Sequence, residues 1–131
     1  LSRLPKNQRD IFFTPSYHKL FQQHETGTPR CFVFQQGESI ALFPFFLRSL
    51  DRLNFSPYSN FFDFQGVYGF NGVASNCYND DFQTNFHSSF RHYCLENDII
   101  AGFIRYHPTI DNVQFSINRL PITEDRKVII L

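Results

Sequence analysis

An α/β (α+β) fold, a mixed sheet flanked by helices, is predicted by three features of this 131-residue chain. Two apolar, β-prone runs, residues 31–35 and 39–47, are separated only by Gln36-Gly37-Glu38, the spacing of a β-hairpin. The run Phe61-Phe62-Asp63-Phe64, an amphipathic segment at 80–96 and a second apolar run at 99–106 then follow in order. Strand, long helix, strand is the order of a crossover onto a shared sheet. Finally, Thr14-Pro15 is a helix start, with a capping hydroxyl followed by the residue that tolerates the first helical position.

After Thr14-Pro15, Tyr17, Leu20, Phe21 and His24 recur at the spacing of one helical face, and Gly27 and Pro29 stop the helix. This assigns Tyr17 to the core and His18 and Lys19 to solvent. In the hairpin, Pro44 has no N–H to give, so the second strand is an edge there or carries a bulge. Residues 48–59 are polar and turn-rich and read as a loop. Asn79-Asp80-Asp81 supplies a cap and negative charge at the start of the long helix. Phe82, Phe86, Phe90, Tyr93 and Cys94 make its apolar stripe, with Gln83, Asn85, Ser88 and Arg91 outside it, and Asn97 is the cap at its end. The run at 99–106 is a buried strand stopped by Pro108. Residues 113–118 alternate Val, Phe and Ile with Gln, Ser and Asn, as a half-exposed strand does, and 127–131 begins another strand.

Composition narrows the function classes. Twelve Lys and Arg balance twelve Asp and Glu, which argues against direct DNA binding, since nucleic-acid modules carry a basic face. No apolar run approaches the roughly 18 residues of a membrane span, and residues 1–6 contain no apolar signal core. Cys31, Cys77 and Cys94 are odd in number and widely spaced, so they read as reduced thiols of a cytoplasmic protein. His87 and His92 lie five apart, on different sides of the helix, which disfavours a metal site.

The loop Gly66-Val67-Tyr68-Gly69-Phe70-Asn71-Gly72 is the leading binding candidate. Glycine at every third position lets the backbone approach a ligand, and Tyr68 and Phe70 can wall it. The spacing is not that of a dinucleotide fingerprint. The second candidate is Arg105-Tyr106-His107-Pro108, at the end of a strand, where open sheets often bind ligands. Strand alternation puts Arg105 and His107 on one face and Tyr106 on the other. Arg105 suits a phosphate or carboxylate, and His107 a hydroxyl or a proton relay. The substrate-binding candidates are therefore Tyr68, Gly69, Phe70, Arg105 and His107. No Ser-His-Asp or Cys-His set can be read from residue order, so the catalytic residues stay unassigned.

Several of these landmarks resemble one family. Phe12-Phe13-Thr14-Pro15-Ser16-Tyr17-His18, Ala41-Leu42-Phe43-Pro44-Phe45, Tyr68-Gly69-Phe70-Asn71-Gly72, Phe103-Ile104-Arg105-Tyr106-His107-Pro108 and the closing Lys127-Val128-Ile129-Ile130-Leu131 are similar, in order and spacing, to Fem-type (FemAB-like) transferases. The resemblance implies a GNAT-like, mainly antiparallel sheet and a bacterial enzyme of peptidoglycan or surface-polysaccharide synthesis. Such enzymes have two tandem GNAT domains. Residues 1–131 would form a single domain, the N-terminal half, contributing the acceptor side and inactive alone. The acyl-CoA or aminoacyl-tRNA donor would belong to a second domain, with no cofactor in this chain. The acceptor would be a small-molecule or lipid-linked cell-envelope precursor bearing an amine. The chain has no Gln/Arg-x-x-Gly-x-Gly/Ala loop of the kind that cradles a coenzyme A pyrophosphate. A rival expectation from another class is a non-catalytic glycan- or peptide-binding module built on the aromatic loop.

Overall fold

The computed structural model of the chain describes residues 1–24, 26–54 and 60–125. In chain order its elements are α1 (Pro15–Phe21), β1 (Thr28–Gln36), β2 (Ser39–Ser49), β3 (Phe62–Gln65), β4 (Ala74–Ser75), α2 (Asp80–Glu96) and β5 (Ile99–Phe103). Short 3-10 turns occur at Lys6–Gln8, Ile11–Phe13, Leu50–Leu53 and Asn112–Phe115. The strands form one sheet in the order β1-β2-β3-β5, and β4 pairs with β2. All pairings are antiparallel except that of β3 with β5, which α2 connects. The mixed, mainly antiparallel sheet is the one the sequence predicts.

β2 is the axis of the molecule. It pairs with β1 along nearly its whole length, from Gln36↔Ser39 to Thr28↔Leu47. On its other side it meets β4 at Ala41 and Leu42 and β3 from Phe46 to Ser49. Pro44 falls in the gap between those two pairings, so its missing N–H breaks no ladder there. The register against β1 runs straight through it without a bulge.

Both faces of β2 are covered, as its buried run 43–46 requires. Phe43 and Phe45 meet α2, where Phe82 and Phe86 are buried and Phe90, Tyr93 and Cys94 are half-buried against them. Asn79 caps α2 by accepting from the N–H groups of Asp81 and Phe82, and Asn97 closes it by donating to Cys94 and Tyr93 carbonyls. The opposite face carries Leu4, Phe13 and Ala74, packed with Ile40 and Leu42. α1 lies on that side, its His18 ring stacked on Phe46 at 5.7 Å between centroids.

Several predicted details are corrected. α1 ends at Phe21, a turn earlier than His24 implies. His18 is buried and Leu20 is exposed, the reverse of the amphipathic assignment. Seven residues make only two turns, and the imidazole folds back so that Nδ1 lies 3.0 Å from the Thr14 carbonyl oxygen. Residues 48 and 49 extend β2 rather than open a loop, and Leu50–Leu53 is a 3-10 turn. Arg48 stays in the sheet because its guanidinium clamps Asp63 across the β2–β3 pair, at 2.8 Å for both bonds. Gln83, assigned outside the α2 stripe, is buried and accepts from Arg119 at 2.8 Å.

The two C-terminal strands fare differently. β5 stops at Phe103 and is an edge strand, exposed after Ile99, not a buried strand to Tyr106. Residues 113–118 form no strand. Asp111 takes a left-handed φ of +50°, and the buried Asn112 and Phe115 lie three apart, the spacing of the 3-10 turn that follows. The strand expected at 127–131, like residues 55–59 of the expected loop, lies outside the described residues.

Candidate functional site

The glycine-aromatic loop leaves β3 at Gly66 and runs beside the chain that follows β5. Asn71 stitches the two together. Its N–H donates to the Arg105 carbonyl at 2.7 Å, and its Oδ1 accepts from the Arg105 N–H at 2.7 Å. Asn112 fastens the same region from below: its Nδ2 donates to the Asn71 carbonyl at 2.9 Å and its Oδ1 accepts from the His107 N–H at 2.8 Å. Gly69 closes the packing against the N-terminal 3-10 turn. With φ at +109°, and with a Cβ there falling 2.3 Å from the Phe12 ring, no other residue fits.

A small cleft of about 190 Å³ opens along this seam, lined by Gly66, Tyr68, Gly69, Asn71, Phe103 and Arg105 among others. Tyr68 is 70% exposed and stacks on Phe21 of α1 at 5.9 Å. Tyr17 steadies the loop by donating its phenol to the Tyr68 carbonyl at 3.1 Å. Burial first, then the neighbouring Tyr68 and Asp10, pushes the Tyr17 phenol above its ordinary range, so that proton stays in place. Arg105 is exposed, reaches toward the Gly69 carbonyl at 3.5 Å and lies 6.0 Å from the centre of the Phe103 ring.

Thus the structure brings Tyr68, Gly69 and Arg105 to one cleft. Phe70 sits behind them, half-buried, edge-on to Phe12 at 5.7 Å. His107 does not line the cleft with Arg105, although the chain past β5 stays paired there through a parallel bridge between Tyr106 and Asn71. Instead three consecutive side chains go three ways: Arg105 to the cleft, Tyr106 to a groove beside α2, and His107 into the packing under Phe12 and Phe13. His107 Nδ1 accepts the Thr109 N–H at 3.2 Å, which leaves the proton of the neutral ring on Nε2. That nitrogen sits 3.4 Å from Asp10 Oδ2, without hydrogen-bond geometry. His107 therefore braces the N-terminal turn and does not reach a ligand in the cleft.

Two residues of this region escaped sequence reasoning. Asn71 and Asn112 are both buried and both essential to the seam. An asparagine in a turn-like context reads as turn chemistry, and a single buried polar residue leaves no periodic trace. Phe103 reads from the sequence as part of a buried strand, yet it is 61% exposed at the rim of the cleft.

The lining holds no carboxylate, thiol or imidazole; its polar side chains are those of Gln65, Tyr68, Asn71 and Arg105. Among the described residues no set of three His, Cys, Asp or Glu gathers around a common point, and no helix is long and apolar enough to cross a membrane. Compared with known proteins, the chain matches no protein-family model, no curated protein and no solved structure.

Proposed function

We propose that this chain forms the acceptor side of a Fem-type, GNAT-superfamily acyltransferase, which passes an acyl or aminoacyl group to an amine of a cell-envelope or polysaccharide precursor. The observation that carries the reading is the cleft at the loop seam. It offers an exposed aromatic face, a guanidinium and a backbone that glycines keep open, with no acid–base pair of its own. Acyl transfer needs oxyanion donors at the acyl carbonyl, a route for the amine's proton, and an acceptor held within attack distance. Of these, the residues lining the cleft would supply only the last. α2 follows Asn76-Cys77-Tyr78-Asn79 rather than a glycine-rich pyrophosphate loop, in keeping with a donor site supplied by a second domain.

The test is a titration of the chain with amino-sugar and peptidoglycan-precursor acceptors, followed by NMR. Resonances of Tyr68 and Arg105 should move first, and a polypeptide that includes the second domain should transfer acyl groups from acyl-CoA or aminoacyl-tRNA to the same acceptors. An acceptor panel that leaves Tyr68 and Arg105 unmoved overturns the proposal.

A second reading, a non-catalytic glycan- or peptide-binding module, is favoured by one observation. Tyr68 and Phe103, both well exposed, stand at the cleft as aromatic platforms. The two readings part on the reading frame: a donor-binding half encoded in the same gene supports the enzyme.

A further inference from the structure

Asn71 is 1% exposed, and its side-chain orientation is forced. Because Oδ1 must accept the Arg105 N–H at 2.7 Å, the amide cannot be turned, and Nδ2 is left as the donor end. That Nδ2 is buried and has no hydrogen-bond partner. A buried, unsatisfied donor is costly to keep, so a folded protein that keeps one has a reason to. The residue also lines the cleft. Gly66 makes the room for it: a Cβ there would fall 2.6 Å from Nδ2.

Arg105 is similarly underused. Its guanidinium makes one long contact, 3.5 Å to the Gly69 carbonyl, and among the described residues no carboxylate lies within ion-pair distance of it. Asn71 and Arg105, which carry the two unspent donors, both line one small cavity whose lining carries no negative charge. Its volume of about 190 Å³ is below the roughly 300–1,000 Å³ of whole-ligand pockets. It suits one functional group of a larger molecule.

We propose that Asn71 Nδ2 and the Arg105 guanidinium form an oxyanion subsite that anchors a phosphate or carboxylate group of the ligand, with Tyr68 and Phe103 flanking the rest of it. The inference deepens the acceptor-site reading and rests on it for the identity of the larger molecule, not for the anion chemistry. Asn71 is the residue this adds. It positions Arg105 through the backbone and meets the anion through its side chain.

The experiment is an NMR titration of the chain with inorganic phosphate and, separately, acetate, against sodium chloride at equal ionic strength. The Asn71 side-chain NH₂ pair and the Arg105 Nε–H should shift saturably with at least one oxyanion and not with chloride. Phosphate responding alone assigns the group to a phosphate, acetate alone to a carboxylate. Arg105→Gln, a surface change that keeps a donor and removes the charge, should weaken the fitted affinity at least fivefold. Gly66→Ala, which crowds Nδ2, should weaken it as well; if that variant fails to fold, Arg105→Gln decides alone. No saturable shift with either anion, or equal affinity in Arg105→Gln, overturns the subsite and leaves Nδ2 to water. The outcomes separate the two proposals. Anion binding with no response to amino-sugar acceptors preserves the subsite and removes the acceptor reading. Acceptors that bind at Tyr68 equally well with or without an anionic group do the opposite.

Discussion

The two faces of the β2 sheet are held together by different physics. On the α2 face the contacts are phenylalanine on phenylalanine: Phe86 meets Phe32 at 5.5 Å and Phe115 at 5.1 Å, and Phe90 meets Phe43 at 5.1 Å. On the opposite face and along the loop seam, buried polar side chains do the joining, among them Gln8, His18, Asn71, His107 and Asn112. Apolar contacts are non-directional, so that face sets stability but fixes little geometry. Hydrogen bonds are directional, and an error leaves a buried group unpaired. The cleft lies on the hydrogen-bonded side, where atom positions are determined one by one. A binding site needs that kind of placement, and a core does not.

The largest effect should come from the apolar face. Phe86 is 1% exposed and touches rings from β1, α2 and the Asn112–Phe115 turn. Phe86→Ala should lower the stability measured by urea unfolding by about 3–5 kcal/mol. Phe90→Ala, at a half-buried position, should cost less. Any state of the variant that does fold should keep the cleft shifts of the parent, because the damage is spread through the core. A loss under about 1 kcal/mol for Phe86→Ala would mean that α2 is not anchored as described.

The next effect should come from the seam. Asn112→Ala leaves both the His107 N–H and the Asn71 carbonyl without their partner, and should cost about 2–3 kcal/mol. The contrast with Phe86 is in where the change spreads. Hydrogen exchange should accelerate first at Asn71, Arg105 and His107, while α2 amides remain protected. Uniform acceleration across the chain would show that the two faces are not separable and would remove the distinction drawn above.

The same division explains what the sequence discloses. The hairpin, α2 and its caps are legible because period-2 and period-3.6 apolar patterns, Asn79 and Asn97 act locally. The strand-helix-strand order correctly implies the β3–β5 pairing for a similar reason. Residues 113–118 mislead because alternation alone cannot tell a strand from a turn whose buried residues, Asn112 and Phe115, are picked by what lies across the gap. His18 misleads because α1 is too short to have a face in the statistical sense: the ring is placed by Thr14 and Phe46. At the candidate site, Tyr68, Gly69 and Arg105 announce themselves by residue type. Asn71 does not, since its importance comes from a partner 34 positions away. His107 is legible as a chemical group but not as a buried one, because its burial depends on Phe12 and Phe13 packing over it.

Acid should weaken the two faces in step, but in windows that differ from that of the sheet's own ion pair. Burial holds the imidazoles of His18, on the hydrogen-bonded face, and His87, beside Phe115 on the apolar face, below the ordinary histidine value of 6.5. The unfolded chain therefore binds the extra protons first, and stability falls as pH drops below about 6.5. For Asp63, burial alone would raise the carboxyl, but hydrogen bonds and charge from Arg48 and Arg52 outweigh it and hold the group below its ordinary 3.8. Its contribution is intact at pH 5 and is lost only at lower pH, as the folded carboxyl takes up its proton. Urea midpoints at pH 7 and pH 5 should thus show a decline in the parent that His18→Phe reduces and Asp63→Asn leaves unchanged. A decline equal in parent and His18→Phe would reassign the acid sensitivity to His87 alone.

The smallest stability effect is expected where the functional effect should be greatest. Tyr68 hangs over the cleft, its ring stacked on Phe21. It takes part in the seam through its backbone, since the hydrogen bond from Tyr17 ends on the Tyr68 carbonyl. Tyr68→Ala keeps that carbonyl and removes a mostly exposed ring, so the change in unfolding free energy should stay within about 0.5 kcal/mol. Under the acceptor reading, loss of the ring removes the aromatic wall and should weaken acceptor binding by about tenfold, the worth of roughly 1.4 kcal/mol, while simple anions still bind beside Arg105. A Tyr68→Ala variant that unfolds easily would make the residue a strut of the seam rather than an exposed wall of the cleft.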